Sequence, residues 1–498
     1  MPSDRSRAIL WVTVCAFVGL TAASIAPIRS NDYFWHLATG RWIVEHRAVP
    51  LTDPFGVASS REPWINDEWL FDVGVYPVFS IGGHAGVAWA LAIATAALFC
   101  AMLVLLQRRA GEGAGAPLSA GAVALLIVIC WYGAEGWLRE RPSAAGAACL
   151  AVVLMLVSRP RRPWRIAALF ATTVVWANVH PSALIAPVVV GLSGAGAIGV
   201  VATAIALLAN PYGIHGVLAP IRLVNLIRLG DFHNEEWAPS TPAEFPLFYA
   251  IVIAALLLFA MRRRREDLGR FLVFALLTIL AMRFCRNQAL FFVALPLLAG
   301  PAIPPLKKRI ERLAAVAAAA ILIAILANAW FHNGIDRSKF PVDAVARLRA
   351  SGLPGRIYNT YGLGGFLIWN FYPERRVITD GRNELYVAYN IEHNRALRDL
   401  REWHRFIRKW DLRLAVFDYN RPPVRLENGR EVPPALVYFP PREWALIAID
   451  PVAMVFARRD AYPADALQRW EITPRSSDAS ARPALRRAWP PPPPRTPQ

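Results

Sequence analysis

Between residues 31 and 70 the chain reads NDYFWH, RW, LTDPF and WINDEWL, which sets Asp32, His36, Asp53, Asp67 and Glu68 among tryptophans directly after the first apolar run. Carboxylates crowded by interfacial aromatic rings suit proton transfer on a substrate held by a lipid. Asp32 falls about one helical turn beyond the end of that run, where a carboxylate can stay near the headgroups while facing a cavity. Asn31 or Asp32 could equally open a helix at Tyr33 by accepting backbone N–H groups, and the two roles are compatible. Asp53 precedes Pro54, so a turn-forming hydrogen bond competes with a substrate-binding role there. Asn66, Asp67 and Glu68 are adjacent and cannot all face one way on a helix; Glu68 is assigned with Asp32 to the catalytic chemistry.

The cationic candidates are Arg139, Arg141, Arg283 and Arg286, the last two three positions apart and therefore expected on one helix face. A guanidinium offers planar paired donors and cannot lose its charge, which is what a phosphate leaving group requires. The competing reading is that each arginine reaches for lipid headgroups. His36, Asp53, His180 in WANVHP and Glu236 in HNEEW complete the expected substrate-binding set. A histidine at a helix end is more often a packing or capping residue, and only His36 could join His180 around an ion. No metal is assigned, a divalent cofactor being neither required nor excluded.

These residues are positioned by apolar helices. The chain has 498 residues, 55% of them hydrophobic, and its apolar runs are long enough to cross roughly 30 Å of hydrocarbon. Such runs occupy residues 8–28, 83–106, 120–137, 143–157, 166–179, 245–261, 271–282, 289–303 and 314–331. Residues 182–209, with Gly191, Gly194, Gly196 and Gly199, fit a hairpin of two short helices, and NPYG at 210–213 reads as its stop signal. The chain is thus expected to be a polytopic α-helical membrane protein with about eleven spans by the charge-bias rule. The net charge of +18 sits in short clusters between apolar runs, which argues for membrane topology and against a nucleic-acid partner. The five cysteines lie in or beside apolar runs without ligand or disulfide spacing. Arg5 and Arg7 precede the first run in the manner of a signal peptide, but without a convincing cleavage pattern, so it reads as an uncleaved first span.

With the basic clusters placed in the cytoplasm, the acidic, histidine and arginine candidates all fall on the opposite side. The residues 1–331 form the expected transmembrane domain, with a first loop at 29–82. Composition then changes to that of a soluble α/β domain, 332–472, expected outside the cytoplasm. Strands are predicted at 356–358, 377–379, 414–417, 444–449 and 453–457, with helices at 363–371 and 391–410. Tyr361-Gly362-Leu363-Gly364-Gly365 could present backbone amides to an anion, although it lacks full dinucleotide spacing, and Asp380-Gly381-Arg382 reads equally as a ligand-bearing strand end or a tight turn. The segment 473–498 is too polar and proline-rich to bury a core.

A charged loop after the first span, NDYFWHLATGRW with WINDEWL, followed by many spans and an outer C-terminal domain, resembles the GT-C superfamily of integral membrane glycosyltransferases. WANVHP, NPYG, HNEEW and the pair YGLGGFLIW and ITDGRNELY look like a group of bacterial membrane proteins allied to those enzymes. The resemblance implies sugar transfer from a polyprenyl-phosphate carrier to a periplasmic lipid, glycan or protein at the bacterial inner membrane, with a first-loop aspartate, here Asp32, as base. The Asp-Glu or Glu-Asp pair of several GT-C families is replaced by Asn31-Asp32. Two other classes remain: a lipid-linked glycan transporter, which should show inverted repeats, and a non-catalytic assembly protein, whose first-loop carboxylates should tolerate substitution.

Overall fold

The computed structural model describes residues 4–60, 62–109, 120–158, 162–229, 235–262, 267–304, 306–328, 334–418, 422–425, 429 and 431–472. The segment 473–498 and parts of the basic clusters at 159–165 and 262–265 lie outside them.

Helix α1 (Asp4–Ser24) ends before Pro27, and a 14-residue helix, α2 (Tyr33–His46), follows it across the polar end of the bundle. Its first eight residues are all buried, and Arg47 stops it in the left-handed region at φ 53°. Helix α3 (Trp69–Arg109) changes direction at Gly83, whose φ of 62° and ψ of −160° interrupt the helical ladder. The bundle continues through α4 (Ala120–Glu135), α5 (Pro142–Val157) and α6 (Pro163–Val179), the last two opened by a proline in the first turn. The expected hairpin is present as α7 (Ala186–Leu192) and α8 (Ala197–Ala206), turned at Gly194 and Gly196 with φ of 68° and 100°. Then come α9 (Ile214–Leu229), α10 (Pro246–Arg262), α11 (Leu268–Arg283), α12 (Gln288–Ala299) and α13 (Lys308–Asn328). Every residue of α12 is buried, so this apolar helix is the axis around which α4, α5 and α11 pack.

Two described helical stretches, Trp69–Gln107 and Lys308–Ala327, are long and apolar enough to cross a membrane by length and composition. The other apolar helices have 10–17 residues, or about 15–26 Å at 1.5 Å per residue. Helix length alone therefore gives fewer crossings than the eleven counted from apolar runs, because prolines and glycines divide those runs.

After α14 (Val342–Ser351), ended by Gly352 at φ 64°, the chain forms β1 (Arg356–Asn359), α15 (Gly364–Phe371), α16 (Val387–Ala396), α17 (Leu400–Lys409) and β2 (Leu412–Asp418). A short pair, β3 (Val424–Arg425) and β4 (Glu431–Val432), precedes α18 (Pro434–Tyr438), β5 (Trp444–Ile449) and β6 (Ala453–Arg458). The main sheet runs β1-β2-β6-β5, with β1 parallel to β2 and the other neighbours antiparallel, so it is mixed. Trp403, Phe406 and Ile407 supply the buried stripe of α17 at helical spacing.

Two expectations change here. The helix predicted over 391–410 is two helices, because Asp399 accepts a hydrogen bond from Arg401 N at 2.7 Å and caps the second. Residues 377–379 do not join the sheet. Val377 instead exchanges backbone hydrogen bonds with the first loop, donating to Phe55 O at 3.0 Å and accepting from Val57 N at 2.8 Å.

That pairing belongs to a larger union. Tyr33, Phe34, Trp35, Phe55 and Trp64 share one hydrophobic core with Phe340, Phe366, Tyr386 and the sheet, whereas the membrane-type helices form a second core. Phe34 meets Phe340 and Phe366 edge-on, with centroids 4.8 and 4.9 Å apart. Helix α2 is thereby clamped between the bundle and the C-terminal region, and the first loop is built as part of the latter.

Candidate active site

Asp32 stands just before α2 with φ −75° and ψ −29°, and its side chain makes no cap hydrogen bond. Its backbone carbonyl receives Trp35 N and His36 N instead. The carboxylate accepts from Trp35 Nε1 at 3.2 Å and retains further acceptor capacity. From the other side it meets the Asp380-Gly381-Arg382 turn: a Cβ on Gly381 would overlap Asp32 Oδ1, and one on Gly365 would strike Asn31 O. Both glycine motifs therefore serve close approach to the start of α2. Tyr361 arches over the same turn, its hydroxyl within 3.1 Å of Gly381 O and 3.0 Å of Asn383 Oδ1.

Glu68 lies in the same polar end with its side chain 18% exposed. His36 Nε2 is 3.8 Å from Glu68 Oε2, and His180 Nε2 is 3.9 Å from Oε1. Each imidazole is fixed from behind. His36 Nδ1 contacts Asp72 Oδ1 at 2.6 Å, and the second Asp72 oxygen accepts from Asn66 Nδ2 at 2.7 Å. His180 Nδ1 accepts from Ser182 N at 3.2 Å where α6 gives way to extended backbone. Burial, reinforced by Asp67 and Asp72, raises the Glu68 pKa well above the usual carboxylate range despite Arg286. Burial and the Glu384 charge push Asp67 up to about 7. Burial, with Arg286 and His36 nearby, lowers His180 to about 3.

The arginines divide. Arg141 donates from Nε to Ser30 Oγ at 3.2 Å, pairs through Nη1 with Glu236, and feels the Asp32 charge. Arg286 lies over the Trp237 ring at 5.0 Å and acts electrostatically on Asp67, Glu68 and His180. Arg139 pairs with Glu135 at 2.7 Å and lines a crevice with Ser24, Ala88 and Ala92. Arg283 is exposed at the end of α11. The single face expected for Arg283 and Arg286 is absent because Phe284 is extended, at φ −141° and ψ 114°, and a separate short helix carries Arg286.

Asp53 also departs from its expected role. It is 2% exposed and accepts from Phe55 N at 2.9 Å, Gly56 N at 3.0 Å, Ser59 Oγ, and Arg382 Nη1 at 2.8 Å. Arg382 also grips Asp380 through Nε and Nη2 at 2.8 and 2.6 Å and sits over Trp64 at 4.5 Å. With its acceptor sites filled from within the fold, Asp53 joins the first loop to the C-terminal region instead of facing a ligand. Burial alone would raise its pKa; Arg382 and the hydrogen bonds reverse this and hold it low.

Sequence reasoning passed over Asp72, the one acidic group in the first turn of a long apolar helix, although carboxylates at membrane depth are functional candidates by default. It also passed over Glu384, which the fold brings from the C-terminal region into electrostatic contact with Asp67. Asn178 of WANVHP proves to be a tie: it accepts from Trp69 Nε1 at 2.7 Å and donates to Ala209 O at 2.8 Å. Among the described residues no group of three or more His, Cys, Asp or Glu side chains is arranged to hold a metal ion.

No protein-family model matches the sequence, and no curated protein does. Solved structures match in fold. The apo oligosaccharyltransferase of Archaeoglobus fulgidus aligns with TM-score 0.57 at 12% identity, over 82% of this chain and 69% of that one. AglB from the same organism, in complex with an inhibitory peptide and a dolichol-phosphate, aligns with TM-score 0.57 at 11% identity, over 93% and 76%. ArnT from Cupriavidus metallidurans bound to undecaprenyl phosphate aligns with TM-score 0.57 at 12% identity, over 93% of this chain and 99% of that one. The chain therefore has the GT-C fold of integral membrane proteins.

Proposed function

We propose that this protein is an inverting membrane glycosyltransferase that moves a sugar from a polyprenyl-phosphate carrier to a periplasmic acceptor, which is a lipid, a glycan or a protein. In this reading the bundle, residues 1–331, crosses the bacterial inner membrane about eleven times, and residues 332–472 form a periplasmic domain. The observation that carries the reading is the Asp32 carboxylate, left free of its helix cap and placed under a glycine turn near Arg141. Two proteins of the same fold hold a polyprenyl-type phosphate.

The acceptor hydroxyl attacks the anomeric carbon on the face opposite the phosphate and gives its proton to Asp32, while the carbon–oxygen bond to phosphate breaks. Its electron pair leaves with the lipid phosphate. A phosphate is already a competent leaving group and is stabilised by cations as it departs, a role for Arg286, over the Trp237 ring, and for Arg141, paired with the neighbouring Glu236. Purified protein should retain a lipid-linked sugar identifiable by mass spectrometry. Asp32→Asn should insert and fold normally yet lose transfer to the acceptor fraction; full transfer by that variant removes Asp32 from the mechanism.

A further inference from the structure

Glu68 is enclosed by two imidazoles whose hydrogen positions are set by their outer partners. Asp72 receives a hydrogen bond from Asn66 on one oxygen and faces His36 Nδ1 at 2.6 Å with the other, so as a carboxylate it requires His36 to carry hydrogen on Nδ1. When His36 is neutral in that arrangement, its Nε2 lone pair faces Glu68 Oε2 at 3.8 Å. His180 is reversed: its Nδ1 is the acceptor for Ser182 N, which leaves the hydrogen on Nε2, facing Glu68 Oε1. That Nε2 is buried and has no hydrogen-bond partner. At 3.8 and 3.9 Å neither imidazole donates a hydrogen bond to Glu68, so the carboxylate gains no charge-assisted bond from its two ring neighbours to offset its burial.

The surrounding charges also favour the protonated carboxyl. Asp67 from its own loop, Asp72 from α3 and Asp32 from the start of α2 oppose a negative Glu68, and Arg286 is the cation that favours it. An anionic phosphate approaching Arg286 would meet this excess of carboxylates unless one is neutral.

We propose that Glu68, held between His36 and His180, is the proton donor to the phosphate at the Arg286 end of the site. The step rests on the transferase reading. As the carbon–oxygen bond to phosphate breaks, the Glu68 O–H bond breaks and its proton passes to a phosphate oxygen, leaving a lipid phosphate monoanion and a Glu68 carboxylate. Asp32 meanwhile holds the acceptor's proton, and its release to water balances the reprotonation of Glu68. A phosphate monoester takes its second proton near pH 6, so an acid with a raised pKa is suited to the transfer.

The test uses the full chain in lipid nanodiscs and undecaprenyl phosphate as the probe, with binding followed by tryptophan fluorescence from pH 5.5 to 9. Above the Glu68 pKa, wild type should weaken by up to about tenfold per pH unit, beyond the titrations of the lipid phosphate and of Asp67. Glu68→Gln stays neutral at all pH values, so the Glu68 step should disappear and only the titrations of the phosphate and of Asp67 should remain. His36→Gln and His180→Gln should bind at low pH and shift the midpoint. An infrared carboxyl band that titrates in wild type and vanishes in Glu68→Gln reports the proton even if binding is weak. A wild-type pH profile in all three variants, or no such band, overturns the proposal. Loss of transfer in Asp32→Asn is read separately, so failure of the transferase reading is distinguishable from failure of the proton donor.

Discussion

Arg382 Nη1 donates to Asp53 Oδ1 at 2.8 Å, joining groups 329 positions apart, with neither side chain more than 1% exposed. The guanidinium also neutralises Asp380, and Tyr386 hydroxyl lies within 3.2 Å of Asp53 Oδ2 and 2.7 Å of Asp380 Oδ2. Helix α2 is held in place by this knot and by the aromatic core around it, so Asp32 is positioned by residues that never approach a substrate.

Arg382→Met should strand two buried carboxylates and destabilise the protein by about 3–5 kcal/mol, read as a lowered melting temperature and faster proteolysis of the first loop. Arg382→Lys should recover only part, since an ammonium cannot bridge two carboxylates in plane. The Asp53 pKa is depressed in the folded state, so its stabilisation is present above the unfolded value of about 3.9 and is lost as pH falls through the folded value. The melting-temperature gap between wild type and Asp53→Asn should therefore narrow below about pH 4.

Gly381→Ala should separate positioning from folding. The new methyl would overlap Asp32 Oδ1, and the turn carrying Arg382 leaves it little room to retreat. Loss of glycan transfer with a melting temperature near that of wild type is expected. Gly74→Ala, in α3 with open space around the new methyl, is the control and should leave transfer intact. Equal transfer by both variants would show that the contact with Gly381 does not hold Asp32.

The sequence made Asp32, His36, Glu68 and His180 visible because polar groups flanking apolar runs stand out against composition. Direction was not readable at the same level. Arg139 and Arg141 are two positions apart yet point to different partners, Glu135 and Glu236, and one extended residue, Phe284, undoes the helical phase linking Arg283 to Arg286. Val377 has the composition of a sheet strand, but its backbone partners, Phe55 and Val57, come from a loop more than 300 residues earlier. Asp53 looked like a ligand residue because its counter-ion, Arg382, is equally remote. Pairings set by tertiary contact leave no local period to detect.

Arg286 and Arg283 should behave differently despite their spacing. Arg286→Ala removes a cation that acts on Glu68, and loss of one charge-assisted hydrogen bond, about 1.5–3 kcal/mol, corresponds to roughly tenfold to 150-fold weaker binding of undecaprenyl phosphate. Arg283→Ala, at an exposed helix end whose ring neighbour is Phe284, should bind within about twofold of wild type. Titration by tryptophan fluorescence is direct here, because Trp237 lies against Arg286. Equal losses would restore the shared arginine face expected from spacing and refute the division drawn above.

Asp67 gives a stability test that needs no substrate. Burial and Glu384 raise its pKa to about 7 in the folded protein, against about 3.9 when unfolded. The folded state therefore binds the extra proton between these values, and stability falls as pH rises through that window. Asp67→Asn carries no charge to desolvate or to repel Glu384, so it should melt higher than wild type at pH 8 and converge with it towards pH 4. Glu384→Gln should have the same sign, since it removes the other member of the pair, and the double variant should gain less than the sum of the two. A melting-temperature difference that is constant from pH 4 to 8 would mean that Asp67 is solvated as an ordinary surface carboxylate, and that the first loop and the C-terminal region do not press their acids together.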